Sequence, residues 1–374
     1  MQEKYDVVVA GAGVVGLSIA WRLAGLGLQT ALVHDSTART PASWVAAGML
    51  APVTEAAYGE DELLAANLRS RRGFAGFLSA LAGASGREIE AWPEHTIFAA
   101  VDRDQAEALR RLYEFQQSLG LQVNWLDRRA CRAQEPSLHP STLAGILASG
   151  DTAVDSRQLL DALAVAVKQA GAAIIEGARI SAVEPGDPAA LVCEDGRRFT
   201  ARNVVMAAGC WTGSVAGLPP WVARCLRPVK GQILRLTPRG GRPCPIAHVI
   251  RTEEVYLVPR PSGEVVVGAT VEEQGFDTAV TADAVFELLR AAQEAVPETR
   301  EMVVSELSAG LRPGTPDNAP LIGPTGLEGI SLATGHYRNG ILLAPATADA
   351  IAEAVTAGSA PDWALPFSPL RFAT

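Results

Sequence analysis

Glycines near the start of the chain are spaced as in loops that hold nucleotide phosphates. Gly11, Gly13 and Gly16 follow the apolar run Val7-Val8-Val9, and Asp35 comes nineteen positions after Gly16. In dinucleotide-binding turns the first glycine permits the tight turn, the second lets the backbone approach a pyrophosphate, and the third allows close packing of helix and strand. An acidic residue about twenty positions later binds a ribose. The pattern predicts a dinucleotide site, although a purely structural turn would also use these glycines.

Such a turn must be presented by a strand, a helix and a second strand, and the neighbouring residues predict all three. Residues 7–9 are a β-branched buried run, residues 17–26 are an apolar helical stretch, and residues 30–33 form another buried run. Later helical patterns cover residues 61–81, 105–119, 155–170 and 341–355. Asp155 is placed to cap the third of these helices, and Pro345 interrupts the fourth.

An antiparallel sheet is predicted for the middle of the chain. Residues 255–269 alternate around Pro261-Ser262-Gly263-Glu264 and read as a β-hairpin. The predicted fold class is therefore α/β with an α+β second domain. A Rossmann-type nucleotide-binding domain would be interleaved with a substrate domain built on the antiparallel sheet.

Three further motifs are more specific than the glycine turn: Ala47-Gly48-Met49, Arg312-Pro313-Gly314, and the run from His336 to Leu342. Together and in this order they make the chain, from residue 5 to about residue 371, similar to the D-amino-acid-oxidase-like FAD-dependent oxidoreductases. Within that family the chain most resembles the glycine oxidases of the thiamine pathway. The resemblance implies that a noncovalent FAD is the cofactor, and no cysteine lies between Gly310 and Leu342, where some relatives attach their flavin covalently.

The resemblance also implies which residues contact FAD. His34 stands where the family often has Glu, so we expect the ribose to be held by Asp35 or by the backbone of His34. A helix start near Gly340 would favour negative charge on the flavin. The full predicted set is Gly11, Gly13, Val14, Val15, Gly16, His34, Asp35, Ala42, Ser43, Ala47, Gly48, Met49, Ile180, His336, Tyr337, Arg338, Asn339, Gly340, Ile341 and Leu342.

Three residues are predicted to act on the substrate. Arg312 would grip a carboxylate through two parallel hydrogen bonds, Tyr256 would donate its phenolic hydroxyl to the same group, and Arg338 would lie near flavin and substrate together. Without the resemblance, these residues would read as surface arginines and a core tyrosine. The implied reaction is hydride transfer from a small amino acid such as glycine to flavin N5, giving an imine and, with molecular oxygen, hydrogen peroxide. The loop over residues 52–59 is predicted to be a lid.

The resemblance and the element pattern together predict discontinuous domains. The FAD-binding domain is expected to comprise residues 1–85, 146–220 and 300–374, and the substrate-binding domain residues 86–145 and 221–299. We leave open whether the chain forms a homo-oligomer.

Composition excludes several other classes of function. A formal net charge of −9 argues against a nucleic-acid partner. No CxxC pair or other metal-ligand spacing appears among the five cysteines. The N-terminus lacks room for a cleavable leader and no apolar run is long enough to span a membrane, so we expect a cytoplasmic protein without membrane contact. Alternative functions are an oxidase of sarcosine, proline or D-amino acids, a dehydrogenase with another electron acceptor, and a non-catalytic flavin sensor.

Overall fold

The glycine turn lies at the end of a central β-strand, in a computed structural model that describes residues 4–35, 41–92 and 95–373. The helices are α1 (Val14–Gly25), α2 (Ala42–Val45), α3 (Asp61–Ser85), α4 (Arg103–Ser118), α5 (Arg128–Gln134), α6 (Ser156–Gln169), α7 (Pro220–Cys225), α8 (Ala282–Ala295) and α9 (Gly340–Ala357). The strands are β1 (Lys4–Ala10), β2 (Thr30–Val33), β3 (Met49–Leu50), β4 (Ala91–Trp92), β5 (Thr96–Ala100), β6 (Val123–Asp127), β7 (Ala144–Ala148), β8 (Thr152–Val154), β9 (Ala173–Ile175), β10 (Ile180–Glu184), β11 (Ala189–Cys193), β12 (Arg198–Met206), β13 (Arg227–Thr237), β14 (Val249–Arg251), β15 (Tyr256–Pro259), β16 (Val265–Gly268), β17 (Val303–Gly314), β18 (Leu321–Pro324) and β19 (Ile330–Thr334). Short 3-10 helices cover Gly209–Ser214, Arg239–Gly241, Pro297–Glu301, Asp362–Phe367 and Pro369–Phe372.

The first sheet carries the glycine turn and is buried on both faces. Its strand order is β10-β11-β12-β1-β2-β9, with β19 also beside β12 and β18 beside β19. β1 runs parallel to both β2 and β12. Val7 and Val9 enter the core formed with α1, α3, α6 and α9, whereas Val8 and Ala10 enter a second core on the opposite face. Because β1 is buried on both faces, its residues 7–10 are all apolar and do not alternate with polar residues.

The second sheet is almost wholly antiparallel and has the order β17-β13-β16-β15-β14-β5-β7-β6. Only the β14–β5 pair is parallel among its described pairings. Leu288 and Ala292 of α8 pack on Leu234 and Leu257 of this sheet. A small third sheet has the order β3-β8-β4. The predicted α/β class with an antiparallel second sheet is confirmed.

The predicted hairpin and helix cap both form. β15 and β16 pair antiparallel, and the Asp155 carboxylate accepts the N–H groups of Arg157 and Gln158 at 2.9 Å each. One helix start was predicted too late. α1 begins at Val14, so Gly16 lies inside the first helical turn and not in the loop.

Sheet membership differs from the predicted domain boundaries at two places. β17 belongs to the second sheet, although residues 300–374 were assigned to the FAD-binding part, and β7 crosses the predicted boundary at residue 146. β17 belongs to the second sheet because it pairs with β13 along its length. The division into two domains stays a proposal, and residues 1–3, 36–40, 93–94 and 374 of the predicted ranges lie outside the described residues.

α9 is long and apolar enough, by length and composition alone, to cross a membrane. Within this fold it packs against α1 and α3, and 56% of its apolar window is buried. Its apolar character therefore matches a helix of the protein core. The N-terminal residues 1–3, on which the prediction of location partly rests, are outside the described part of the chain.

Candidate active site

A cavity of about 990 Å³ is lined by residues of both large sheets. Its volume lies at the upper end of those typical of small-molecule and cofactor sites. Every residue predicted to bind cofactor or substrate lines this cavity except Gly16, which is buried in α1. The sequence therefore predicted a set of residues that the fold brings together, and their individual roles stay predictions.

The glycine turn forms an open cradle at one end of the cavity. Gly11 has a φ of +109°, and a Cβ there would lie 2.6 Å from the carbonyl oxygen of Ala207. At Gly13 the backbone is extended, and the nearest atom to an added Cβ is the Ser43 hydroxyl at 3.6 Å. Gly13 precedes α1 without a side-chain cap, and the Val14 N–H donates to the Ser43 hydroxyl at 3.2 Å. The helix N-terminus and the missing side chain leave space suited to a phosphate.

The predicted ribose site lies at the end of β2, where His34 and Asp35 line the cavity together with Ile180. The backbone N–H of His34 donates to Ile175, and its carbonyl accepts from Ala178. Burial lowers the pKa of the His34 imidazole, which favours its neutral form. Because the His34 backbone is already engaged, Asp35 is the better candidate of the two for a ribose hydroxyl.

Arg312 and Tyr256 lie together in the lining of the same cavity. Nη1 of Arg312 donates to the backbone oxygens of Thr270 at 3.1 Å and Lys230 at 3.4 Å, which fixes one side of the guanidinium. The Tyr256 hydroxyl is within hydrogen-bonding reach of Arg312, and burial raises the pKa of the phenol more than the neighbouring Arg312 lowers it. Tyr256 is therefore a neutral hydroxyl that can donate a hydrogen bond.

Two glycines make room for this pair. A Cβ at Gly231 would lie 2.3 Å from Nη2 of Arg312, and a Cβ at Gly268 would lie 2.5 Å from the hydroxyl of Tyr256. Both distances are below any normal carbon contact, so the guanidinium and the phenol rest directly on glycine backbone.

Arg338 pairs with a carboxylate that the sequence did not single out, and a second arginine shares that carboxylate. Glu55 pairs with Arg338 at 3.4 Å and also with Nη1 of Arg251. All three side chains line the cavity. Glu55 and Arg251 are 196 positions apart, so no local spacing could have indicated that they meet.

Buried hydrogen bonds hold the first half of the predicted lid in place. The Asp151 carboxylate accepts the N–H groups of Val53 and Thr54 at 2.8 and 2.7 Å, and the Thr54 hydroxyl at 2.6 Å. Burial raises the pKa of Asp151 to about 6 despite these bonds. In the second half of the loop Tyr58 is exposed and stacks on Phe115, and the lid stays a prediction.

Comparison with known proteins decides the family. A model of the FAD dependent oxidoreductase family matches residues 6–354. The chain belongs to this family. The Synechocystis sp. bifunctional protein ThiO/ThiG is 32% identical over 100% of this chain and 55% of its own length, so the chain spans about half of that relative.

Two further matches extend over nearly the whole of both chains. The glycine oxidase of Geobacillus kaustophilus is 31% identical over 95% of this chain and 94% of its own. The crystal structure of glycine oxidase from Geobacillus kaustophilus has a TM-score of 0.90 at 29% identity, covering 98% of each chain.

The cavity of this FAD-dependent oxidoreductase fits its cofactor. FAD is the cofactor and is held noncovalently. Besides the phosphate cradle, the segment of Ala47, Gly48 and Met49 lines the cavity, and a Cβ at Gly48 would lie 1.9 Å from the oxygen of Val154. Within the described part of the chain no cysteine lines the cavity. Burial raises the pKa values of Cys131 and Cys193 to about 11, which keeps these thiols unreactive.

The start of α9 supplies the predicted site for negative charge. Gly340, Ile341 and Leu342 line the cavity at the first turn of the helix, and Asn339 makes no side-chain cap because its Oδ1 accepts from Asn67 at 3.1 Å. The first N–H groups of α9 therefore lack a side-chain cap. His336 is buried, with Nε2 2.9 Å from the Thr347 hydroxyl.

Proposed function

We propose that this flavoprotein is a glycine oxidase that converts glycine to its imine, with peroxide formed from molecular oxygen. The observation that carries the proposal is the pairing of Arg312 with Tyr256 in the cavity that also holds the phosphate cradle. A guanidinium beside a neutral phenol is suited to a substrate carboxylate, which a flavin-binding sensor would not need. Similarity to the glycine oxidase of Geobacillus kaustophilus over nearly the full chain supports the same substrate.

The chain's own residues bind and orient the substrate. Arg312 neutralises the carboxylate and, together with the Tyr256 hydroxyl, fixes the direction in which the α-carbon points. When bound, FAD would supply the acceptor for a hydride from that carbon and the route by which the electrons reach oxygen. The amine must be neutral for the hydride to leave, so the site has to disfavour the ammonium form. The unoccupied N–H groups of α9 stabilise negative charge at the flavin end.

The biological role we propose is supply of the glycine imine for thiazole assembly in thiamine synthesis, in the cytoplasm. Similarity to the bifunctional protein ThiO/ThiG supports this role. Oxidation of sarcosine, proline or D-amino acids, or electron transfer to an acceptor other than oxygen, are the alternatives within the family.

The proposal is tested by adding glycine to the yellow protein without oxygen. Glycine should bleach the flavin absorbance, and with oxygen the protein should release peroxide faster with glycine than with sarcosine, D-alanine or L-proline. A flavin spectrum that no amino acid bleaches would indicate a sensor. Faster peroxide release with one of the other three amino acids would identify that amino acid, and not glycine, as the preferred substrate.

The role of Arg312 is tested separately. Arg312→Ala should lower kcat/KM for glycine by at least about 100-fold, since loss of hydrogen bonds to a charged group costs roughly 1.5–3 kcal/mol each and 1.4 kcal/mol is a factor of ten. Arg312→Lys should recover only part of the loss because it lacks the two-pronged geometry. FAD content should stay near normal in both variants, and Arg242→Ala, at an exposed arginine, serves as the control. Near-normal kinetics of Arg312→Ala would contradict this placement of the substrate.

A further inference from the structure

Arg251 is a charged group in the cavity that glycine oxidation does not use. It is the last residue of β14, its side chain is 20% exposed, and its guanidinium lies 5.0 Å from the centre of the Phe98 ring. Nη1 donates to the backbone oxygen of Thr54 at 3.0 Å and to Glu55. These contacts fix the guanidinium at the cavity wall.

Most of the donors of Arg251 remain unused. A guanidinium carries five N–H donors in a planar fork. Both hydrogen bonds of Arg251 start from Nη1, and across residues 4–35, 41–92 and 95–373 neither Nε nor Nη2 donates a hydrogen bond to the protein. The remaining edge has the geometry that binds a carboxylate.

Arg251 shares its carboxylate partner with a second arginine. Arg251, Arg312 and Arg338 line the cavity together with Glu55, whose side chain is 15% exposed. Glu55 pairs with both Arg251 and Arg338, and solvent screens the guanidinium of Arg338 because that side chain is 43% exposed. A further anion at Arg251 would therefore be bound through its Nε and Nη2 donors. Glu253 and Glu254 also line the cavity, but both are exposed to solvent that screens them, and Glu254 pairs with Arg290 at 2.8 Å.

We propose that Arg251 binds a second carboxylate of the substrate, so that the site accepts amino acids with two acidic groups. The proposal rests on the proposed function, because it takes the α-carboxylate to be bound by Arg312. Glu55 accepts from Nη1 of Arg251, and the second substrate carboxylate would accept from the Nε and Nη2 edge. The second carboxylate could be attached to the amine, as in iminodiacetate, or to the α-carbon, as in D-aspartate.

The test compares substrates that differ only in the second carboxylate. Sarcosine is iminodiacetate without that group, and D-alanine is D-aspartate without it. In the wild-type holoenzyme, kcat/KM for at least one of the two dicarboxylates should equal or exceed that of its partner, and the favoured pair shows where the second carboxylate lies. If both dicarboxylates were used less well than their partners, the proposal would be overturned without any variant.

Variants of Arg251 provide the second arm. Arg251→Gln should lower the ratio of kcat/KM for the favoured dicarboxylate to that for its partner by at least tenfold, and Arg251→Lys should lower it less. Arg251→Gln alone leaves the Glu55 carboxylate without this partner. The double variant Arg251→Gln, Glu55→Gln controls for that effect and should show the same fall in the ratio. An unchanged ratio in Arg251→Gln would overturn the proposal.

Failure of the proposed function gives a different pattern. If glycine is not oxidised, dissociation constants from perturbation of the flavin absorbance replace kcat/KM, and tighter binding of a dicarboxylate than of its partner still supports the role of Arg251. If glycine is oxidised but the two dicarboxylates are neither turned over nor bound, the role of Arg251 is wrong and glycine oxidation is unaffected.

Discussion

Single residues control the substrate end of the cavity through very close contacts. Gly231 lies beneath the guanidinium of Arg312, and the 2.3 Å between a hypothetical Cβ and Nη2 leaves no space for even a methyl group. The proposed carboxylate clamp would therefore depend on a residue that has no reactive side chain, and a substitution there would displace Arg312 without removing its charge.

Gly231→Ala is expected to lower kcat/KM for glycine by about tenfold or more while FAD content stays near normal. The added methyl forces the guanidinium away from Thr270 and Tyr256, and misplacement by about 1 Å can cost a factor of 100 in rate. Steady-state kinetics and the flavin-to-protein absorbance ratio measure both effects. Gly73→Ala is the control, because it lies in α3 with nothing within 4 Å, and it should leave kinetics unchanged while stabilising the fold by about 0.5–1 kcal/mol. Unaltered kinetics in Gly231→Ala would show that the position of the guanidinium is not critical.

His336 gives a prediction about pH. Burial lowers the pKa of this imidazole from 6.5 to about 3, so the folded state favours the neutral form. Its contribution to stability is fully present above pH 6.5 and is lost as pH falls from 6.5 towards 3, by up to about 1.4 kcal/mol per pH unit. The free energy of unfolding, measured by denaturant titration between pH 7 and 4, should therefore fall less steeply in His336→Gln than in the wild type. Equal slopes would mean that the imidazole is not held neutral by burial.

Residue types and spacing identified most of the candidate site but not its charge balance. Arg312, Tyr256 and Arg338 were predicted because they lie in recognisable motifs, and all three line the cavity. Glu55 and Arg251 carry no such signal, since their contact depends on the loop after β3 meeting the end of β14. Tertiary contacts between distant segments cannot be read from local patterns.

At the scale of elements, buried strands and a capped helix were predictable from local sequence. β2 matches its predicted range, and Asp155 caps α6 as expected. The two-residue strands β3 and β4 were not predicted, because each exists only through pairing with β8. Such short strands have almost no intrinsic preference and are set by the surrounding fold.

Two glycines of the turn are expected to have different roles: Gly13 in FAD binding and Gly16 in the packing of the fold. Gly13→Ala should leave the apo-protein folded but largely without FAD, because φ is −73° and an added Cβ has 3.6 Å to its nearest neighbour, so only a bound pyrophosphate would collide with it. Flavin absorbance of the purified protein and thermal unfolding of the apo form measure the two effects. Gly16→Ala is the contrasting variant, since its Cβ would lie 1.9 Å from the Gly11 oxygen, and it should destabilise the apo-protein itself. Full FAD content in Gly13→Ala would contradict the phosphate cradle.

At the scale of the whole molecule, the FAD site is assembled where the two large sheets meet. The chain passes from the first sheet to the second and back twice, because β5 to β7 lie between β2 and β9 in sequence, and β13 to β17 lie between β12 and β18. Contacts between the sheets must therefore hold the cavity in shape. Arg260, which follows β15 in the hairpin, is 3% exposed and donates from Nη2 to the Ala47 oxygen at 2.6 Å. Its Nε lies 3.5 Å from the Asp155 carboxylate that caps α6.

Arg260 is thus expected to couple stability of the fold to FAD binding. Removing one member of a buried ion pair costs about 3–5 kcal/mol, and here the Ala47 oxygen in the flavin-facing segment would lose its donor as well. Arg260→Met should therefore lower the free energy of unfolding by roughly 3 kcal/mol and weaken FAD binding, as measured by denaturant titration and by titration of the apo-protein with FAD. Arg290→Met is the matched control, because Arg290 also pairs with carboxylates, Glu254, Glu287 and Glu294, but at the surface of α8. Exposed pairs contribute about 0–1 kcal/mol, so this control should bind FAD normally and lose little stability. If the two variants were equally stable and equally loaded with FAD, the contact between Arg260 and Ala47 would not be what holds the flavin-facing segment in place.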